Sequence, residues 1–498
     1  ELHLPAENRF IATDFTLKAA DCENSDVPVQ VVQVERGALW FKKDDKFQIP
    51  RAYIRFHLIS PVIQKSPESL VLFDLLVNIL AHNLSEPAYE AEVAHLDYRL
   101  VAAEHGLVVR LKGFNHKLPL LLKLIVDHLA DFGAEPGVFA MFVEQLKKAY
   151  FNVLIRPECL GRDVRLMLLQ HSRWSVVQKY RAIMSDPTRE QLLTFVSALK
   201  AELYAEGLVQ GNFSSAESKE FLQYFIDTLQ FRALPAEVPV SFQVVDLPPK
   251  AHLCKVKTLN RGDANSGVTV YYQSGLKNLR EHVLMELMVM HMEEPCFNFL
   301  RTKETLGYQV YSSCRNTCGL LGFSVTVETQ ATKFSTELVE QKIEEFLVHF
   351  GERLSSLSEE AFRTQVTALI KLKECEDAHL GEEVDRHWFE VVTQQYLFRR
   401  LEKEIKALKL FSREDLLSWF LEHRTSSRKL SVHVVGFGGK EDPPEEEGAP
   451  GPACSAYGEV SQLTFLPACS PPLQDATLIT DIRAFTSSLH LHPHHKIL

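Results

Sequence analysis

Arg301 and Tyr308 stand seven positions apart in the stretch Pro295-Cys296-Phe297-Asn298-Phe299-Leu300-Arg301-Thr302-Lys303-Glu304-Thr305-Leu306-Gly307-Tyr308-Gln309-Val310-Tyr311. An apolar run with helical spacing leads into it, and a strand-like run leads out. A guanidinium and a phenol at such a corner can aim two donors at one point. The same residues also suit a purely structural corner, with Arg301 salt-bridged on the surface and Tyr308 half buried. Residue chemistry alone leaves both open.

The other candidate chemistries find no anchor. A hydrolytic zinc site needs two His one turn apart on a helix with a Glu between them. Neither H-E-x-x-H nor H-x-x-E-H occurs. In Trp419-Phe420-Leu421-Glu422-His423 the first ligand position is Trp, which offers only an N–H donor. Glu104-His105 and Glu281-His282 lack a second His at helical spacing. Glu293 and Glu294 are expected at a solvated helix end, because Pro295 should break the helix there. Cys314 and Cys318 are expected to be loop thiols, and Arg424, Arg428 and Lys429 a solvated loop. No metal ligand is therefore assigned in this chain. The P-loop, the dinucleotide fingerprint and the G-x-S-x-G elbow are all absent.

These residues must be positioned by a chain of 498 residues, 46% hydrophobic and 24% charged, which is globular composition for two or three domains. A net charge of -11 argues against nucleic acid as the partner. Nine scattered Cys predict free thiols in a reducing, cytoplasmic setting. No apolar run is long enough to span a membrane.

The order of elements repeats. Strand patterns at 37–59 precede a helix at 66–84, as those at 254–273 precede a helix at 278–291. His95-Leu96-Asp97-Tyr98 answers to Thr305-Leu306-Gly307-Tyr308, and Leu208-Val209-Gln210-Gly211 to His433-Val434-Val435-Gly436. The first copy keeps the tyrosine but has Ala91 and Asp97 where Arg301 and Gly307 stand. The reading is an α/β (α+β) chain of two homologous domains, each a mixed sheet with helices packed mainly on one face. The expected boundaries are 1–231, a Pro-rich linker at 232–251, a second domain at 252–439, an acidic Pro/Gly-rich disordered insert at 440–456, and an extension at 457–498. The His-rich tail (His490, His492, His494, His495) is expected to fray.

Pro295-Cys296-Phe297-Asn298-x-Leu300-Arg301-Thr302-Lys303-Glu304-x-Leu306-Gly307-Tyr308-x-Val310 resembles the last-domain signature of the insulinase/pitrilysin family of inverted zinc peptidases. That family has four homologous α/β domains, which agrees with the two repeats found here. The resemblance implies that this chain is the C-terminal half of such an enzyme. Zinc would be held by an N-terminal half that this sequence lacks, so this chain alone should be inactive. Arg301 and Tyr308 would complete the catalytic site across a cleft, and Phe297 would line the substrate pocket with them. The implied partners are peptides with paired basic residues, cut on the N-terminal side of Arg, together with the N-terminal half and a second copy of the chain. The alternative is a non-catalytic scaffold or partner-binding protein of the same fold.

Overall fold

A computed structural model describes residues 2–235, 242–276, 278–442 and 463–492. Most of the acidic insert, residues 443–456, and His494 and His495 lie outside the described residues.

Alternating apolar and polar residues generate two six-stranded sheets. The first contains β1 (Val29–Val34), β2 (Gly37–Lys43), β3 (Arg51–Ile59), β4 (Asp97–Ala102), β5 (Gly106–Phe114) and β6 (Tyr204–Gly211), in the order β1-β2-β6-β3-β5-β4. The second contains β7 (Ala251–Lys257), β8 (Asn265–Leu276), β9 (Val310–Thr317), β10 (Leu320–Gln330), β11 (Lys429–Val435) and β12 (Thr477–Leu478), in the order β12-β7-β11-β8-β10-β9. Five of the six positions are filled by strands of the same rank in the repeat. The pairs β2–β6 and β7–β11 are both parallel, and β3 and β8 are antiparallel to both neighbours. Only the outer strand differs: β1 is antiparallel to β2, whereas β12 comes from the C-terminal extension and is parallel to β7.

One face of the second sheet carries its main core. Val268, Val270, Leu321, Phe323, Val325 and Val327 pack there with residues of the helices Leu279–Cys296, Thr336–Ser355 and Arg413–Ser426. Each sheet also receives one helix from the other half of the sequence. Leu380, Val384, Trp388 and Val391 of the helix Leu380–Val392 pack with Val108 and Leu208 of the first sheet. Leu160, Val164 and Leu168 of the helix Pro157–Leu169 pack with Cys254, Tyr271 and Val432 of the second. The two compact units are accordingly discontinuous: Glu1–Lys147, Ala182–Val240 and Glu376–Arg399 form one, and Lys148–Arg181, Ser241–Cys375 and Arg400–Leu498 the other. This departs from the contiguous boundaries expected above. An amphipathic stripe fixes a helix's buried face but not the sheet that receives it.

Other local expectations change as well. Gln243–Val245, between Pro239 and Pro248, forms a short strand within the expected linker, and Val244, Val245 and Leu247 are fully buried. Pro248 and Pro249 follow this strand without entering its ladder. His492 pairs with Val244 in a small sheet, and its Nε2 lies 3.5 Å from Asp246, so the described part of the tail is docked. Arg424 and Lys429 are paired with Glu344 at 2.6 and 2.9 Å, and Arg428 is paired with Asp246; none of the three is a solvated loop residue. Cys314 lies on β9, and burial pushes its thiol up to about 12.

Candidate functional site

Asn278 caps the helix Leu279–Cys296 by accepting from the Glu281 N–H. The helix does not stop at Pro295, contrary to expectation. It runs to Cys296 and continues as a π-helical segment, Phe297–Lys303. Proline removes one donor from the α ladder, and the backbone bonds that follow are longer-range. The Glu304 N–H donates to Phe299 O at 3.0 Å and the Leu306 N–H to Leu300 O at 3.1 Å. Leu300 and Leu306 are buried and anchor both ends of the corner. Thr305 adopts a left-handed φ of 54°, which turns the chain towards β9.

Gly307 is fixed by space. A Cβ there would lie 1.6 Å from the Glu328 carbonyl oxygen of β10. The Thr329 hydroxyl donates to Leu306 O at 2.6 Å and closes the same contact. The corner is therefore pinned to the sheet, and the next side chain, Tyr308, projects outward with 82% exposure.

The three residues singled out by sequence converge. The Arg301 guanidinium carbon lies 4.6 Å from the Phe297 ring centroid and 4.4 Å from that of Tyr308. Both distances are within the range of cation–π attraction. Among the described residues Arg301 forms no ion pair. The structural-corner alternative, a salt-bridged Arg301 and a half-buried Tyr308, is not what the structure has. Two aromatic faces hold the guanidinium, and its N–H edges and the Tyr308 hydroxyl remain for a ligand.

Several neighbours serve the scaffold. Trp419 donates its indole N–H to Glu281, and His423 bonds Ser274 Oγ at 2.7 Å. Burial holds the His291 imidazole down at about 4, with Arg353 adding to the effect. Among the described residues one group could be considered for a metal: His282, Glu286 and Glu404. The Lys373 ammonium already lies 2.6 Å from Glu286 and 2.7 Å from Glu404. One ammonium thus already bridges both carboxylates, and the group does not fit a catalytic zinc with an open position.

Residues 1–182 match the family profile described as the middle or third domain of peptidase_M16. Residues 287–388, which contain the Arg301–Tyr308 corner, match one described as PQQ synthase PqqF-like, C-terminal lobe domain 4. Human nardilysin is 64% identical over the whole chain, and human insulin-degrading enzyme is 30% identical over 87% of it. The chain belongs to the M16 peptidase family, the insulinase/pitrilysin group. This M16 chain spans 43% of the length of each of those two relatives and matches the C-terminal half of nardilysin. A crystal structure of pitrilysin superposes with a TM-score of 0.81 at 17% identity, covering 99% of this chain and 49% of pitrilysin. That likeness establishes the shared fold. No helix among the described residues is long and apolar enough to cross a membrane.

Proposed function

We propose that this chain is the substrate-binding, site-completing half of a zinc endopeptidase that cleaves at paired basic residues, on the N-terminal side of Arg. The observation that carries the proposal is the Arg301 guanidinium held between Phe297 and Tyr308, with the tyrosine exposed and, among the described residues, no carboxylate paired with the cation. Its sequence setting, 64% identical to nardilysin, supports the peptidase role, and the cleavage at paired basic residues follows from the family resemblance of residues 295–310.

Zinc, held on another stretch of chain, supplies Lewis-acid activation of water. The residues of this chain bind and orient. Phe297 and Arg301 form an aromatic and cationic surface for the peptide. As a carbonyl carbon is attacked, charge gathers on its oxygen, and the Arg301 N–H groups and the Tyr308 hydroxyl donate to it. Donors of this kind contribute roughly 2–4 kcal/mol when preorganised. The π-helical corner supplies that preorganisation, because Leu300, Leu306 and Gly307 are fixed to the sheet. The net charge of -11 attracts basic peptides. The N-terminal half is the proposed partner, and a cytoplasmic location fits the free thiols. Self-association remains a further proposal for the assembled enzyme.

The test combines this chain with a zinc-bearing N-terminal half and follows cleavage of a peptide containing Arg-Lys. Activity should appear only in the mixture and fall roughly 10²- to 10³-fold with Tyr308→Phe. Absence of activity, or indifference to Tyr308→Phe, would favour the scaffold instead.

A further inference from the structure

The face of the second sheet opposite its main core has a different composition. Alternate residues of β10 on that face are Gly322, Ser324, Thr326 and Glu328, and Gly267 and Thr269 of β8 continue the row. Small side chains leave room, and a Cβ at Gly267 would meet nothing within 4 Å. The result is a cavity of about 280 Å³ between the start of the helix Pro157–Leu169 and the strands, reached by Tyr311 and Arg315 of β9.

Arg162, Arg165 and Arg315 line this cavity, and the last two are removed from solvent in whole or in part. Arg165 is only 6% exposed. Arg315 is half-buried, and its Nε donates to Ser324 Oγ at 2.9 Å. Among the described residues neither arginine forms an ion pair. Burial, then the nearby Arg315, pushes Arg165 down to about 10. Buried charge without a partner is costly, and a bound anion would offset that cost here. Glu158 and Glu328 line the same cavity, but neither is ion-paired with Arg165 or Arg315. Burial, then the adjacent Glu158, raises Glu328 to about 7, which weakens its negative charge near neutral pH.

The cavity lies on the same strand as the corner. Tyr311 and Arg315 share a face of β9, and Tyr308 precedes Tyr311 by three residues. At about 3.3 Å per residue, Arg315 is roughly 23 Å along the chain from Tyr308, the length of about seven extended residues.

We propose that this cavity is a carboxylate subsite, in which Arg165 and Arg315 together hold a carboxylate of a peptide laid along this face. The proposal rests on the peptide-binding function above and adds an anchor for one end of the substrate. A guanidinium pair matches the two oxygens of a carboxylate. Either the C-terminal carboxylate or an acidic side chain about seven residues beyond the corner supplies it.

Fluorescence anisotropy on the full 498-residue chain tests this with three labelled peptides containing Arg-Lys. One ends in a free carboxylate, one in an amide, and one in an amide with a glutamate seven residues past the basic pair. The free acid should bind roughly tenfold more tightly than the plain amide. Arg315→Gln should abolish that advantage and leave amide binding unchanged, Arg315→Lys should restore part of it, and Arg165→Gln should repeat the loss. Arg315 is only partly buried, so its variants keep the test valid if Arg165→Gln fails to fold. Tight binding of the glutamate peptide would assign the carboxylate to a side chain; weak binding would assign it to the C-terminus. Equal binding of acid and amide, or an advantage that survives Arg315→Gln, overturns the subsite alone. Failure of all three peptides to bind overturns the peptide-binding function with it.

Discussion

Arg301 is held by rings rather than by an acid, and that choice has consequences at the scale of single residues. A carboxylate partner would neutralise the cation, whereas two aromatic faces orient it and leave its charge available. Lysine keeps the charge but loses the planar fork. In the reconstituted enzyme Arg301→Lys should therefore lower kcat/KM at least tenfold, with a thermal midpoint unchanged, as steady-state kinetics and calorimetry would show. Gly307 behaves oppositely. A methyl group 1.6 Å from the Glu328 oxygen cannot be accommodated without moving the corner off β10. Gly307→Ala should cost about 1–3 kcal/mol in urea denaturation and abolish activity as well.

The element that matters most is the helix that passes through Pro295 into the π-helical turn. Proline inside a helix costs about 3 kcal/mol, and here the slipped ladder it introduces sets where Arg301 emerges. Pro295→Ala should raise the thermal midpoint, since it restores a donor, while lowering cleavage because the guanidinium is rotated away from Tyr308. Loss of activity without that stabilisation would remove the proposed link between strain and site. The imported helix Leu380–Val392 offers a packing test. Trp388 is 3% exposed against the first sheet, so Trp388→Ala should destabilise that unit by about 3–5 kcal/mol, measured by urea unfolding.

For the whole molecule, buried imidazoles set the response to acid. His57 is held down at about 4 by burial and then His105, and His387 at about 3 by burial and then Arg386. Both are neutral in the folded chain and charge more readily when it unfolds. The stability they confer is complete above the unfolded pKa near 6.5 and is lost as pH falls from 6.5 towards 4 and 3. Glu340 works lower down. The buried Glu340 carboxylate is held at about 2, against its own desolvation, by His433 and Lys429. Its contribution is present above about 4.5 and disappears as pH falls towards 2. Urea midpoints measured from pH 7 to 3 should decline in two stages, and His57→Gln should flatten the first.

The sequence by itself determined the strands common to the two repeats, the duplication and the corner. Each of these is written in neighbouring residues: alternation in β8 and β10, the same order of elements in two halves, and one unbroken signature from Pro295 to Tyr311. The Gly at 307 and the Tyr at 308 were legible there as parts of that signature, whereas the reason for the Gly, the Glu328 carbonyl of β10, was not. The tertiary structure alone decided which sheet receives the helices 157–169 and 380–392, since a stripe of apolar residues does not name its partner. It alone brought Arg301 between Phe297 and Tyr308, through a π-helical turn that residue spacing does not encode. It alone set Arg165 beside Arg315, 150 positions apart in the chain. The alternation of small and polar residues from Gly322 to Glu328 was visible throughout, but a bare sheet face acquires a chemistry only when the element covering it is known.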